Sequence, residues 1–276
     1  MIDHPAFSRL GFGVTGPHAS RFTPKAPVIA RIRDALDAGI TYFDTGPAYG
    51  NGRGEARLGE ALKGVAREQV FISTKAGVQA GGVRDFSPGA VEMSLKASLD
   101  RLGMGYVDLL LLHGPAPDEV TDRLIRHLEA FRARGLFRYL GICGRGPELE
   151  TAIHSDAINA IMAPLNAQLS DAELTRLQAC KAADISLIGI EALKGATPSS
   201  RLPLGPMSAW YFARSVKQRL TGQAADGTGQ SPQAALRFAL DHPLSDSVVS
   251  LTTKSAHLHA NAQLAGLNPP LAQPSS

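Results

Sequence analysis

Val107-Asp108-Leu109-Leu110-Leu111-Leu112-His113 is a leucine-rich run that stops on an ionisable residue. Two earlier runs stop the same way, Ile40-Thr41-Tyr42-Phe43 on Asp44 and Val70-Phe71-Ile72-Ser73-Thr74 on Lys75. Runs apolar on both faces read as parallel strands buried between layers, and parallel strands all point one way. Asp44, Lys75 and His113 therefore collect at one edge of one sheet, joined by Tyr49 from the turn after Asp44. That edge is where open sheets and barrels carry chemistry.

Outward from these runs, eight strand and helix candidates alternate between Arg9 and Leu267. The strands are expected at Leu10–Gly13, Thr41–Asp44, Val70–Thr74, Val107–Leu112, Tyr139–Ile142, Ala157–Met162, Ser186–Ile190 and Ser247–Leu251. Helices are expected at Pro27–Ala38, Glu55–Leu62, Pro88–Leu102, Glu119–Arg134, Pro147–His154, Asp171–Ala183, Pro232–Asp241 and Ser255–Ala265. Ser87-Pro88 and Ser231-Pro232 carry start signals, Ser170 with Glu173 spells a capping box, and Gly39, Gly64, Gly103 and Gly135 mark stops. Eight such pairs predict a closed (β/α)8 TIM barrel of α/β class. A doubly wound sheet would carry a glycine fingerprint that Gly11-Phe12-Gly13 does not continue.

The expected organisation is one barrel domain over residues 1–267, with a long loop at 194–230 and a disordered tail at 268–276. Within the loop, Lys194, Arg201, Arg214, Lys217 and Arg219 face only Asp226, and Trp210-Tyr211-Phe212 lies among them. Such a field suits an anionic cofactor or substrate, or simply a charged surface helix.

A chain of 276 residues, 44% hydrophobic, can bury a large core. Its 28 basic and 25 acidic residues are interspersed, which argues against nucleic acid. Two cysteines, Cys143 and Cys180, lack zinc-type spacing and are expected as free thiols in a cytoplasmic protein. The start Met-Ile-Asp-His-Pro-Ala carries no leader signal, and no run reaches the roughly 20 apolar residues of a membrane span.

The four residues at the edge form a chemical set. A phenol with an ordinary pKa of about 10 is a poor donor near neutrality, and an adjacent ammonium is expected to pull that value down. Tyr49 beside Lys75 is thus the candidate general acid, with Asp44 holding Lys75 charged and His113 hydrogen-bonding the oxygen that receives the proton. The set polarises a carbonyl. The same residues suit elimination or isomerisation next to a carbonyl, or a binding subunit that has lost turnover. Gly50-Asn51-Gly52-Arg53-Gly54 lacks the lysine and hydroxyl of a P-loop.

The segment Gly39-Ile-Thr-Tyr-Phe-Asp-Thr-Gly-Pro-Ala-Tyr-Gly-Asn-Gly-Arg-Gly-Glu-Ala-Arg-Leu-Gly-Glu-Ala-Leu62, with Ser73-Thr-Lys75, Asp108-Leu-Leu-Leu-Leu-His113, Gly135-Leu-Phe-Arg-Tyr-Leu-Gly141 and Ala234-Ala-Leu-Arg-Phe-Ala-Leu240, resembles the aldo-keto reductase family over nearly the whole chain. The resemblance implies an NADPH-dependent oxidoreductase, with NADH the lesser option, moving hydride between the cofactor and a small carbonyl or sugar substrate. It gives Tyr49 the acid-base role, Asp44 and Lys75 the tuning, and His113 the orienting bond. At the adenosine end, Asn261 matches the asparagine expected against adenine and Thr252 lies near the expected 2′-phosphate. His257 stands where arginine is frequent, and Lys254 offers compensating charge. His257 and His259 fit either that contact or a solvated helix face. At the nicotinamide end, Cys143 and Gly144 replace Ser-Asn, Met162 a glutamine and Ile190 an aromatic. Each change removes a contact of roughly 0.5–1.5 kcal/mol.

Overall fold

The computed structural model describes residues 5–79, 81–196 and 229–268. The expected loop at 194–230 and tail at 268–276 lie almost wholly outside them. Eight parallel strands close into one barrel in chain order: β1 (Leu10–Gly13), β2 (Tyr42–Asp44), β3 (Phe71–Ala76), β4 (Val107–His113), β5 (Phe137–Cys143), β6 (Ala160–Pro164), β7 (Ser186–Ile190) and β8 (Ser247–Ser250). Leu10 opposite Val248 closes the ring between β1 and β8. The chain is a single-domain (β/α)8 barrel.

Helices α1 (Lys25–Asp37), α2 (Arg53–Ala61), α3 (Pro88–Leu102), α4 (Asp122–Ala133) and α5 (Asp171–Ala182) coat the strands, followed by Pro232–Asp241 and Ser255–Leu264. The start signals act as read: Ser87 accepts from the amide of Ala90, Ser231 from Ala234, and Ser170 and Glu173 cap each other. Among the described residues, no helix is long and apolar enough to cross a membrane.

Period-two alternation sorts the strand side chains into two cores. Phe43, Ile72, Leu110, Leu112, Ile142, Ile161 and Leu187 point outward into the layer shared with the helices. Tyr42, Phe71, Leu109, Leu111, Cys143, Ala160, Met162 and Ile188 fill the barrel itself. Asp44, Lys75 and His113 share parity with the inner set, so they rise from its top. Small inward residues make room below: a Cβ at Gly11 would come within 2.6 Å of the Tyr42 ring, and one at Gly141 within 2.8 Å of Leu111.

Two expected boundaries and one expected helix type change for local reasons that the structure makes plain. The helix expected at Glu119–Arg134 breaks into a 3-10 turn, Pro117–Glu119, and α4, because Thr121 caps α4 by accepting from the amide of Leu124. β6 starts at Ala160 rather than Ala157, since Asn159 pairs with the backbone of Leu140 through both its amide and its side chain. Pro147–His154 winds as a 3-10 helix, with the Glu148 carboxylate folded back onto the amides of Arg145 and Gly146.

Candidate active site

Asp44 ends β2 and Lys75 lies on the adjacent β3, where Asp44 pairs in register with Ser73. Both side chains are buried, at 4% and 1% exposure. The Lys75 ammonium donates to both carboxylate oxygens of Asp44, at 2.6 and 2.7 Å, and to the carbonyl of Thr45 at 2.9 Å. Burial alone would discharge the amine, but Asp44, and then Tyr49, outweigh it and leave its pKa raised. Behind the pair, Ser73 donates to Asp44 at 2.7 Å and meets the Tyr42 hydroxyl at 3.1 Å. Sequence reading missed this support, although Tyr42 and Ser73 share parity with Asp44 and Lys75.

After Asp44 the chain doubles back through a tight turn. The amide of Tyr49 donates to Gly46 at 3.0 Å, and Gly50 turns away at φ +62 against the Ala19 carbonyl, where a Cβ would lie 1.9 Å from oxygen. Only glycine fits there. The turn sets the Tyr49 ring 5.0 Å from the Lys75 amine, centroid to nitrogen, and edge-on to His113 at 5.9 Å. Asp44, Tyr49, Lys75 and His113 thus converge.

The expected downward shift of the Tyr49 phenol is corrected by its surroundings. Lys75 pulls the pKa down by charge and hydrogen bonding, but burial is the larger effect and the phenol sits at about 12. His113 is driven the other way, to about 4, first by burial and then by Lys75, Arg145 and Arg84. Its Nδ1 is buried and, among the described residues, has no partner. Near neutrality the site therefore holds a protonated phenol, an ammonium and a neutral imidazole. Burial likewise pushes the Cys143 thiol up to about 11, which removes it as a nucleophile at neutral pH.

On the opposite side, Cys143 (β5) pairs in register with His113 and with Met162 (β6). Ile190 is half-buried at the end of β7. Gly144 has a physical account: a Cβ there would lie 2.2 Å from the Glu148 carboxylate that caps the following turn, so an asparagine would have to push that carboxylate off its amides.

After β8, Thr252 and Lys254 lead into the helix Ser255–Leu264, His257 lies in its first turn, and Asn261 lies one turn further along. Thr252 is 9% exposed, Lys254 and His257 are exposed, and Asn261 is half-buried. No side chain caps that helix and its own first turn holds no acidic residue, which leaves leading amides beside Lys254 as donors for an anion. Asp34 of α1 holds the outer face, accepting from Ser255 and pairing with His259 at 3.0 Å. His259 thus makes a contact between helices while half its side chain stays in solvent. His18, also missed, lies buried with Nε2 3.0 Å from the Thr252 carbonyl. Burial, then Arg31 and Arg57, hold its pKa near 4 against that hydrogen bond.

The model of the Aldo/keto reductase family matches residues 9–271. The chain belongs to the aldo/keto reductase family. It is accordingly an oxidoreductase. It is 37% identical to L-galactose dehydrogenase of Arabidopsis thaliana over 50% of this chain and 44% of that protein. It is 29% identical to D-threo-aldose 1-dehydrogenase of a Pseudomonas species over 87% of this chain and 84% of that one. The chain thus spans less than half of the first relative and most of the second. The holo form of an aldo-keto reductase from Bacillus halodurans superposes with a TM-score of 0.75 at 24% identity, covering 96% of this chain and 88% of that one, which is a likeness of fold. Membership of the aldo/keto reductases makes a nicotinamide dinucleotide the group to test against the barrel mouth. The uncapped helix start with Lys254 fits its phosphates, and Cys143, Met162 and Ile190 fit its ring by apolar contact only.

Proposed function

We propose that this protein is an NADPH-dependent reductase of aldehydes, ketones or sugars, running the reverse alcohol oxidation at high pH, with Tyr49 as the acid-base residue. The observation that carries it is the convergence of Tyr49 and His113 on a Lys75 already neutralised by Asp44. Thr252, Lys254 and His257 would hold the adenosine phosphates, Asn261 would lie against adenine, and Asp44 would border the ribose on the nicotinamide side. Cys143, Gly144, Met162 and Ile190 would bound the ring. When bound, the cofactor supplies the hydride.

The chain's own residues do the rest. A substrate carbonyl oxygen sits between the Tyr49 hydroxyl and neutral His113, whose N–H orients it without adding charge. As negative charge grows on that oxygen, Tyr49 delivers its proton, and Lys75, fixed by Asp44, stabilises the phenolate left behind. With the phenol at about 12, the donor form persists through neutral pH, which favours reduction. Oxidation needs the phenolate, so its rate climbs as pH rises towards that value.

The names of the plant and Pseudomonas relatives favour a sugar substrate. Two free, buried cysteines accord with a cytoplasmic setting. Family membership weighs against elimination or isomerisation by the same residues, which the apolar ring pocket alone does not require. Titration with NADPH followed by addition of aldoses and simple aldehydes tests the proposal: binding with stoichiometric oxidation of the nicotinamide is expected. Conversion of a substrate without cofactor would replace it.

A further inference from the structure

Arg145 stands two residues beyond Cys143, the register partner of His113, and its side chain is 61% exposed. One nitrogen, Nη2, pairs with a single carboxylate oxygen of Glu191. Among the described residues, Nε and Nη1 donate to nothing. Glu191 is held in a left-handed backbone conformation, φ +56, where its carbonyl accepts from Lys194 at 2.9 Å and Asn166 at 3.3 Å. An acidic residue is thereby presented to Arg145 from just beyond the end of β7, over the top of β6.

A second guanidinium lies on the other side of His113. Arg84 donates to the carbonyl of Gly114, the next residue, at 2.9 Å and to Glu119 at 3.2 Å. Asp44 is fully engaged by Lys75, and Glu148 by the amides of Arg145 and Gly146. The charges felt at His113, those of Lys75, Arg145 and Arg84, are all positive. What disfavours an imidazolium there favours an anion beside it. A guanidinium with two donors unpaired among the described residues is the group that takes a planar carboxylate two-pronged.

We infer that Arg145 is a specificity-determining residue that takes the carboxylate of an acidic carbonyl substrate, releasing Glu191 as it does so. The inference rests on the proposed carbonyl chemistry at Tyr49 and His113, and it narrows the substrate to aldehydo or keto acids and acidic sugars. Glu191 is the stand-in for the substrate's anion when none is bound. A surface ion pair with no such role would gain nothing from losing its acid.

The test compares 4-formylbenzoate with its neutral methyl ester on the full chain, by ligand-observed NMR titration and by turnover with NADPH. The carboxylate should be preferred by about 10–100-fold, the range of a charge-assisted hydrogen-bonded pair. Arg145→Gln should bring the ratio of the two close to one, Arg145→Lys should retain part of it, and Glu191→Gln should raise it above the native value. No preference in the native protein, or one that survives Arg145→Gln, overturns the inference. An Arg145-dependent binding preference without reduction of either aldehyde upholds the anion site and fails the proposed hydride transfer; reduction of both with equal efficiency does the reverse.

Discussion

On the β2–β4 side of the barrel mouth, Tyr42, Ser73, Asp44 and Lys75 are joined by hydrogen bonds of 3.1, 2.7 and 2.6 Å. On the β5–β7 side, Cys143, Met162 and Ile190 contribute carbon and sulfur, and the polar groups, Glu148 on its own turn and Arg145 with Glu191, sit in the loops beyond the strands. The first side is over-determined: each group is fixed by the next, so a proton affinity is set by geometry. The second is shaped but not bonded. Chemistry and ring contact are thus separable, and substitutions on the two sides should fail in different ways.

The largest expected effect breaks the bonded side. Lys75→Met leaves the Asp44 carboxylate buried without its partner and should cost about 3–5 kcal/mol of stability, read from urea unfolding. Replacing Met162 by Leu, a change of shape alone on the other side, should cost less than about 1.5 kcal/mol. Equal losses would remove the contrast.

Acid reaches both the bonded side and the turn after β8, where His18 meets Thr252. His113 and His18 have folded pKa values of about 4 against 6.5, so the unfolded chain binds more protons between those values. Their contribution to stability is fully present above pH 6.5 and is lost as pH falls through 4. The loss is about 3 kcal/mol for each residue, measured as unfolding free energy against pH. Phenylalanine at either position should flatten that part of the profile.

Smaller effects sharpen the unbonded side. Gly144→Asn should destabilise the protein by about 1–3 kcal/mol through its clash with Glu148. Pairing it with Glu148→Ala should relieve the clash and tighten NADPH binding by about 0.5–1.5 kcal/mol, the worth of one restored hydrogen bond, read by fluorescence titration.

The barrel was legible because apolar runs alternate with amphipathic ones and several helices begin on serine caps, signals local enough to survive in one sequence. The tetrad was legible for the same reason: Asp44, Lys75 and His113 lie at or within one residue of the ends of successive strands, and parallel strands share a top edge. What escaped was non-local. The Thr121 cap lay hidden inside a continuous amphipathic stretch, and the Asn159 bridge to Leu140 required knowing that β5 and β6 are neighbours. Arg145 and Glu191, 46 residues apart, meet only because β5 and β7 flank one mouth. The Tyr49 proton affinity was misjudged for a related reason, since an adjacent ammonium can be read from sequence order and the depth of burial cannot.

The most direct measurement is reduction of an aldehyde accepted by the native enzyme, assayed with Tyr49→Phe alongside an NADPH titration and a thermal melt of each protein. The account predicts a fall in turnover of about 10²–10⁴-fold, with cofactor affinity and melting temperature essentially unchanged, because the ring stays in place and only its proton is gone. Turnover within threefold of the native enzyme would contradict it.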